Sequence, residues 1–274
     1  MTRIAISNIA WDVAEDEAVA ALLQHHGIDA IDVAPTKYFP DISRAGATDV
    51  EAVRSWWAER GVHITGMQSL LFGTQGLNLF GPPDVQEAML GHLKHICRIG
   101  AGLGAQRLVF GSPRNRDRSG LDDSQCEQIA TDFLRRLGDI AGAAGVCICL
   151  EPNPERYGAN FMTTAEETAR VVRQVGHPSI AMQFDTGALT ISGESAAAFL
   201  AEHAELVGHV HLSEPDLLPL GEGSTDHATL APLLRRHLPK HVLTIEMLAP
   251  QGEERLSIID RSLGHARRHY REDS

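Results

Sequence analysis

The sequence predicts an α/β fold, a single (β/α)8 TIM barrel spanning residues 1–274. Eight short apolar runs recur along it, each followed by an amphipathic stretch. Six glycines (Gly27, Gly61, Gly104, Gly145, Gly176 and Gly208) introduce six of those runs, with separations of 34, 43, 41, 31 and 32 residues. The length of 274 residues allows about 34 per strand–helix unit, in keeping with the roughly 250 residues typical of this barrel. An open doubly wound sheet is the alternative arrangement of the same units.

The runs, in order, are RIAISNI, IDAIDV, VHITGM, AQRLVF, VCICL, HPSIAMQF, HVHL and HVLTIEM. Parallel strands covered on both faces read as continuous apolar segments of this kind. A glycine just past a helix end supplies a left-handed residue and turns the chain back; Pro239 takes that place before the last run. Between runs, Ala18, Val19, Leu22 and Leu23 fall at helical spacing within Glu15–His26, as do Ile129, Phe133, Leu137 and Ile140 within Asp122–Ala144. Thr163 and Glu166 read as a capping box opening the helix over ETARVVRQV.

Composition narrows the function classes. Apolar residues at 43% and charged residues at 22% suit a soluble chain with a large core. No run approaches the roughly 20 apolar residues of a membrane helix, and MTRIAISNIAWDVAED does not read as a signal peptide. The net charge of −12 argues against broad binding to nucleic acid or anionic lipid. Cys97, Cys126, Cys147 and Cys149 show no CxxC pairing, and the last two sit in an apolar run; a reducing cytoplasm is expected. Of the fourteen histidines, His25, His26, His92, His95 and His265 fall on polar helical stretches and read as surface residues.

In a (β/α)8 barrel, chemistry sits at the C-terminal ends of the strands. The last four runs end in Glu151, Asp185, His211 and Glu246, at spacings of 34, 26 and 35 residues. A single acidic strand end is ordinarily a helix cap or salt-bridge partner. Four ligand-type groups converging on one mouth instead repel unless a cation lies between them. Three carboxylates and an imidazole suit one divalent ion, Mn2+ first, with Mg2+, Co2+ and Zn2+ as alternatives. Counting back by two, Gln183, His209 and Thr244 face the same way one layer deeper, as groups that orient the ligands.

LEPNP at Glu151, FDTG at Asp185, HVHLSEP at His211, TIEM at Glu246 and LVFGSPRNR (Leu108 to Arg116) resemble the sugar isomerase/epimerase superfamily built on the xylose-isomerase-like barrel. The resemblance covers essentially the whole chain and is similar to ketose 3-epimerases. It implies one divalent metal held by Glu151, Asp185, His211 and Glu246, with Glu151 and Glu246 also moving the substrate proton, one from each face. The chemistry implied is proton transfer next to a ketone through a metal-stabilised enediolate, giving an epimer or an aldose–ketose isomer. A lyase or dehydratase using the same enolate, an endonuclease-type metallohydrolase of the same barrel superfamily, and a barrel that binds its ligand without turnover are the alternatives. Barrels of this superfamily are often dimers or tetramers, which implies a homo-oligomer.

Departures narrow the resemblance. Related endonucleases carry a histidine three residues after the aspartate, where Ala188 stands; another on an early strand, where Gln68 stands; and an Asp-x-His where Asp226 and His227 are adjacent. A three-zinc metallohydrolase site is not expected. Ketohexose epimerases use a histidine where Ala188 stands and an arginine where Leu217 stands, so a free ketohexose is a poor candidate substrate. Contacts to a carbohydrate or polyol ketone are expected from the strand-end loops: Asn8, Trp11, Lys37, Tyr38, Gln68, Ser69, Phe72, Glu155, Tyr157, Asn160 and Glu214, together with Gln183 and His209. Arg114 and Arg116 suit a phosphate or carboxylate. Gly221-Glu222-Gly223 lacks the Lys-Ser/Thr and the length of a phosphate loop.

Overall fold

A computed structural model describes residues 2–250, 252 and 254–271. Eight parallel strands close in chain order, with β1 (Arg3–Ser7) hydrogen-bonded to both β2 (Ala30–Val33) and β8 (Val242–Glu246). Between them run β3 (His63–Met67), β4 (Arg107–Phe110), β5 (Cys147–Leu150), β6 (Ile180–Asp185) and β7 (Val207–Ser213). The helices are α1 (Asp16–His26), α2 (Pro35–Tyr38), α3 (Ala47–Ala58), α4 (Pro83–Leu103), α5 (Asp123–Ala144), α6 (Ala165–Val175), α7 (Thr186–Ser192), α8 (Ala196–His203), α9 (His227–His237) and α10 (Arg255–Tyr270). Closure of all eight strands excludes the open sheet.

The strand runs are apolar because helices cover their outer faces: Ile6, Ile31, Ile148, Phe184, Leu212 and Ile245 are fully buried. Gly27, Gly104, Gly145 and Gly176 end α1, α4, α5 and α6 in the left-handed conformation. Gly208 differs from expectation. It lies inside β7, where a Cβ would press on Ala181, and α8 instead ends in a 3-10 turn, Ala204–Leu206. The cap of α6 is one residue later than the spacing suggests. Thr164 accepts from the Glu167 amide, while the Glu167 carboxylate accepts from the Thr163 amide.

Two register shifts matter for function. One falls between Ile31 and Asp32, the other between Met182 and Gln183. Each sits next to a polar side chain facing the barrel interior, as bulges that re-aim side chains beside a site do. No helix among the described residues is long and apolar enough to cross a membrane.

Candidate metal centre

The ends of β5 to β8 deliver Glu151, Asp185, His211 and Glu246 to one point. One ligand atom from each lies within 4.8 Å of the others. His211 Nδ1 is 3.3 Å from Glu151 Oε1, 3.3 Å from Glu246 Oε2 and 3.8 Å from Asp185 Oδ2. Both His211 ring nitrogens and Glu151 Oε1 are buried without an aligned hydrogen-bond partner. Donors bound at 2.0–2.1 Å in octahedral geometry stand about 3 Å apart, so these spacings and orphaned lone pairs fit a small divalent cation.

The electrostatics agree. Burial, then the neighbouring Glu246 and Glu151 carboxylates, push Asp185 up to about 7. His211 is raised well above the ordinary imidazole range: burial opposes its charge, but Glu246 and Glu151 outweigh it. Glu246, despite burial, is held below the usual carboxylate range by His211 and by Gln68, whose Nε2 donates to Glu246 Oε1 at 2.6 Å. Three acids competing for protons around one imidazole is the condition a divalent charge relieves.

The three acids are held from behind. Asp185 Oδ1 caps α7 by accepting from the Ala188 amide at 2.6 Å, and it accepts from Ser213 Oγ at 2.9 Å. Asn153 Nδ2 donates to Glu151 Oε2 at 3.2 Å. Gly111 packs so closely on Glu151 that a Cβ there would overlap Oε2. Beneath the cluster, Asp32, His209 and His211 form a second convergence of ligand-type groups within 4.8 Å. Asp32 accepts from Thr244 Oγ1 at 2.9 Å and Thr65 Oγ1 at 3.0 Å. His209 Nε2 lies 2.7 Å from Asp32 Oδ2, off the line of a hydrogen bond. Burial works against ionised Asp32, yet His209 and His211 keep it below the ordinary carboxylate range.

The remaining expected contacts divide. Lys37 and Gln68 line a lobe beside Glu151 and Glu246; Tyr157 and Glu214 line a second lobe across them. Lys37 Nζ donates to the Asn8 and Trp11 carbonyls, and burial lowers its pKa. Glu214 is buried and already satisfied by the Gly221 and Thr225 amides and by His227.

Other side chains point elsewhere, and for these the substrate-facing expectation is corrected. Arg116 is fully enclosed behind Glu151 and donates to its carbonyl at 2.7 Å; burial lowers it to about 10. Arg114 is exposed and lines neither lobe. Trp11 is buried with Nε1 on Asp16, Asn8 accepts from the Ala34 amide, and Asn160 ties down Asp117 and Arg118. Glu155 is exposed, and Gln183 and His209 are sealed in the barrel core.

Sequence reasoning did not pick out Asp32, Ser213 or Gly111. A carboxylate inside IDAIDV was the one available signal for Asp32, since an acid in an apolar strand needs partners. Gly111 carries no signal of its own, because the crowding comes from a residue forty positions away.

A closed barrel whose C-terminal mouth gathers three carboxylates and an imidazole defines a (β/α)8 protein with a candidate metal centre. The chain belongs to the xylose isomerase-like TIM barrel family, whose model matches residues 20–269. An inosose dehydratase from Geobacillus thermodenitrificans (strain NG80-2) is 34% identical over 83 residues, 30% of this chain and 26% of that protein. Across the first curated relatives, the match spans only 26% to 36% of their length. The fold is shared with D-psicose 3-epimerase from Clostridium cellulolyticum H10, solved with D-tagatose: TM-score 0.82, 17% identity, covering 98% of this chain and 99% of that one. It is also shared with an IOLI protein solved with a zinc atom: TM-score 0.75, 15% identity, covering 99% of this chain and 100% of that one.

Proposed function

We propose that the protein is a divalent-metal-dependent isomerase or epimerase of a sugar, sugar phosphate or cyclitol ketone. The observation that carries this reading is the convergence of Glu151, Asp185, His211 and Glu246 within 4.8 Å, with the imidazole between the acids. These four residues are the proposed ligands, with Mn2+ ahead of Mg2+, Co2+ and Zn2+. A cation bound there supplies Lewis-acid stabilisation of the charge that develops on a ketone oxygen.

The protein's own groups do the rest. Glu246, kept ionised by His211 and Gln68, takes the proton from the carbon beside the ketone. The electron pair left behind passes to the ketone oxygen. Glu151, at the other end of the β5–β8 arc and entering the step protonated, gives its proton to the opposite face of the same carbon, making an epimer, or to the former ketone carbon, with the neighbouring hydroxyl proton passing to the former ketone oxygen, making an isomer. Exchange with water then resets both acids. Asp185 is fixed by the α7 amide and Ser213, so it holds position rather than moving protons. Arg116 places a buried positive charge behind Glu151 and offsets repulsion among the acids.

The match to inosose dehydratases supports a second reading, in which loss of water follows the same proton abstraction. The four free, buried cysteines support a cytoplasmic site of action. A homo-oligomer with small-molecule partners, and no nucleic acid, completes the proposal.

The test is proton exchange. Incubation of Mn2+-loaded protein with ketoses, sugar phosphates and inososes in deuterated water is expected to label one carbon next to the ketone of the true substrate. Water loss with labelling selects the dehydratase. No labelling across the panel overturns the proposal.

A further inference from the structure

The barrel has a second opening, at the end of the strands away from the ligand cluster. A cavity of about 660 Å3 enters there between the starts of β1, β3, β4 and β8 and runs in past Gly208 to His209. It is more polar than either lobe at the other mouth. Chemistry in this fold sits at the C-terminal ends of the strands, so the proposed reaction makes no use of it.

The lining is basic, on a chain whose net charge is −12. Arg3, Arg54, Arg107 and Lys240 stand against the single carboxylate of Glu51. Two of the four are already paired: Arg3 Nε donates to Asp29 Oδ1 at 2.9 Å, and Arg54 Nη2 donates to Glu51 Oε2 at 2.6 Å. Arg107 and Lys240 are exposed and enter no ion pair among the described residues. The ring of strands sets their separation. Arg107 opens β4 and Lys240 stands two residues ahead of β8, four strands apart in a closed order of eight, on opposite sides of the opening. A cleft lined by one sign of charge concentrates ions of the other.

Between those two cations, Val62, Ile64, Leu103 and Val242 give the cavity an apolar side. Inorganic phosphate would reach one cation and leave most of the space unfilled, whereas an anion at each end of a carbon skeleton reaches both. Roughly 300–1,000 Å3 is the range of pockets that enclose small organic ligands, and this cavity falls within it. At the inner end, His209 packs edge-on against His211 with ring centroids 5.2 Å apart. That imidazole layer separates the cavity from the ligand cluster.

We propose that this cavity binds a small organic bisphosphate, one phosphate on Arg107 and the other on Lys240, with the carbon skeleton against the apolar side. A guanidinium meets phosphate oxygens as a two-pronged fork and an ammonium as a point charge. Binding is therefore expected to weaken as salt rises.

Calorimetric titration of the full-length, Mn2+-loaded protein with fructose 1,6-bisphosphate tests this, with fructose 6-phosphate, inorganic phosphate and citrate titrated in parallel. The bisphosphate is expected to bind at least about tenfold more tightly than any of the three, the worth of one charge-assisted contact. Arg107→Gln and Lys240→Gln, each with unchanged circular dichroism and Mn2+ content, are each expected to weaken the bisphosphate on the order of tenfold, down to the level of the monophosphate. Arg114→Gln, an exposed arginine at the other mouth, is expected to leave it unchanged. Equal binding of bisphosphate and monophosphate, preference for citrate, or absence of binding overturns the proposal. So does a bisphosphate affinity indifferent to both cavity variants, which places that molecule on the metal instead. Deuterium exchange at the cluster stands or falls separately, because neither Arg107 nor Lys240 lines a lobe of the cluster's mouth.

Discussion

Single side chains around the cluster separate proton transfer from ion binding. Glu246→Gln keeps the shape of the acid and removes its basicity; a loss of roughly 10²–10⁴ in turnover is expected, with metal still bound by elemental analysis. Asp185→Asn is expected to act on the ion, weakening Mn2+ at least tenfold in a calorimetric titration. Gly111→Ala forces Glu151 Oε2 aside and is expected to lower metal affinity while leaving far-UV circular dichroism intact. At this scale the sequence revealed the three acids and the imidazole because each closes an apolar run, where an unpartnered charge is costly. It misplaced Arg116, which lies five residues after Gly111 and two before Arg118 with nothing local to mark it as buried. A guanidinium sealed behind Glu151 is a tertiary fact, set by where the β4 loop folds back.

Elements are tied to one another through the same polar groups. Glu214, just past β7, binds His227 at the start of α9, and His227 Nδ1 meets Tyr270 Oη at the end of α10, 2.6 Å away. Although burial opposes the charge, His227 and the Thr225 and Gly221 amides bring Glu214 down to about 2. A carboxylate depressed on folding contributes stability above its unfolded pKa and loses it as pH falls through the folded value. Glu214→Gln is therefore expected to cost about 2 kcal/mol at pH 7, with the gap from wild type narrowing as pH falls from about 4.5 toward 2, as urea melts at several pH values will show. Helix ends were readable where glycine or a hydroxyl marks them. The α6 cap slipped by one residue because Thr163 and Thr164 each have a glutamate three residues on, and only packing decides which pair closes.

Across the whole molecule, the metal-free barrel carries an electrostatic debt. Asp185, raised to about 7, binds its proton more tightly folded than unfolded, so stability without metal falls as pH climbs from about 4 to about 7. His211, raised above 6.5, continues the loss beyond that. Mn2+ at about 100 times its Kd is expected to add about 2.7 kcal/mol and raise Tm by roughly 5–10 °C, more at pH 8 than at pH 5; scanning calorimetry with and without chelator measures it. The eight-fold architecture was legible because each unit repeats its signals, and one failed glycine, Gly208, does not break a pattern carried by six other helix–strand joints. The division between the strand ends that hold the ligands and the loop residues Phe72, Leu217 and Leu248 that line one lobe of the mouth has a consequence. Substitutions at those three rim positions can reshape what the barrel mouth admits without moving the four side chains of the cluster.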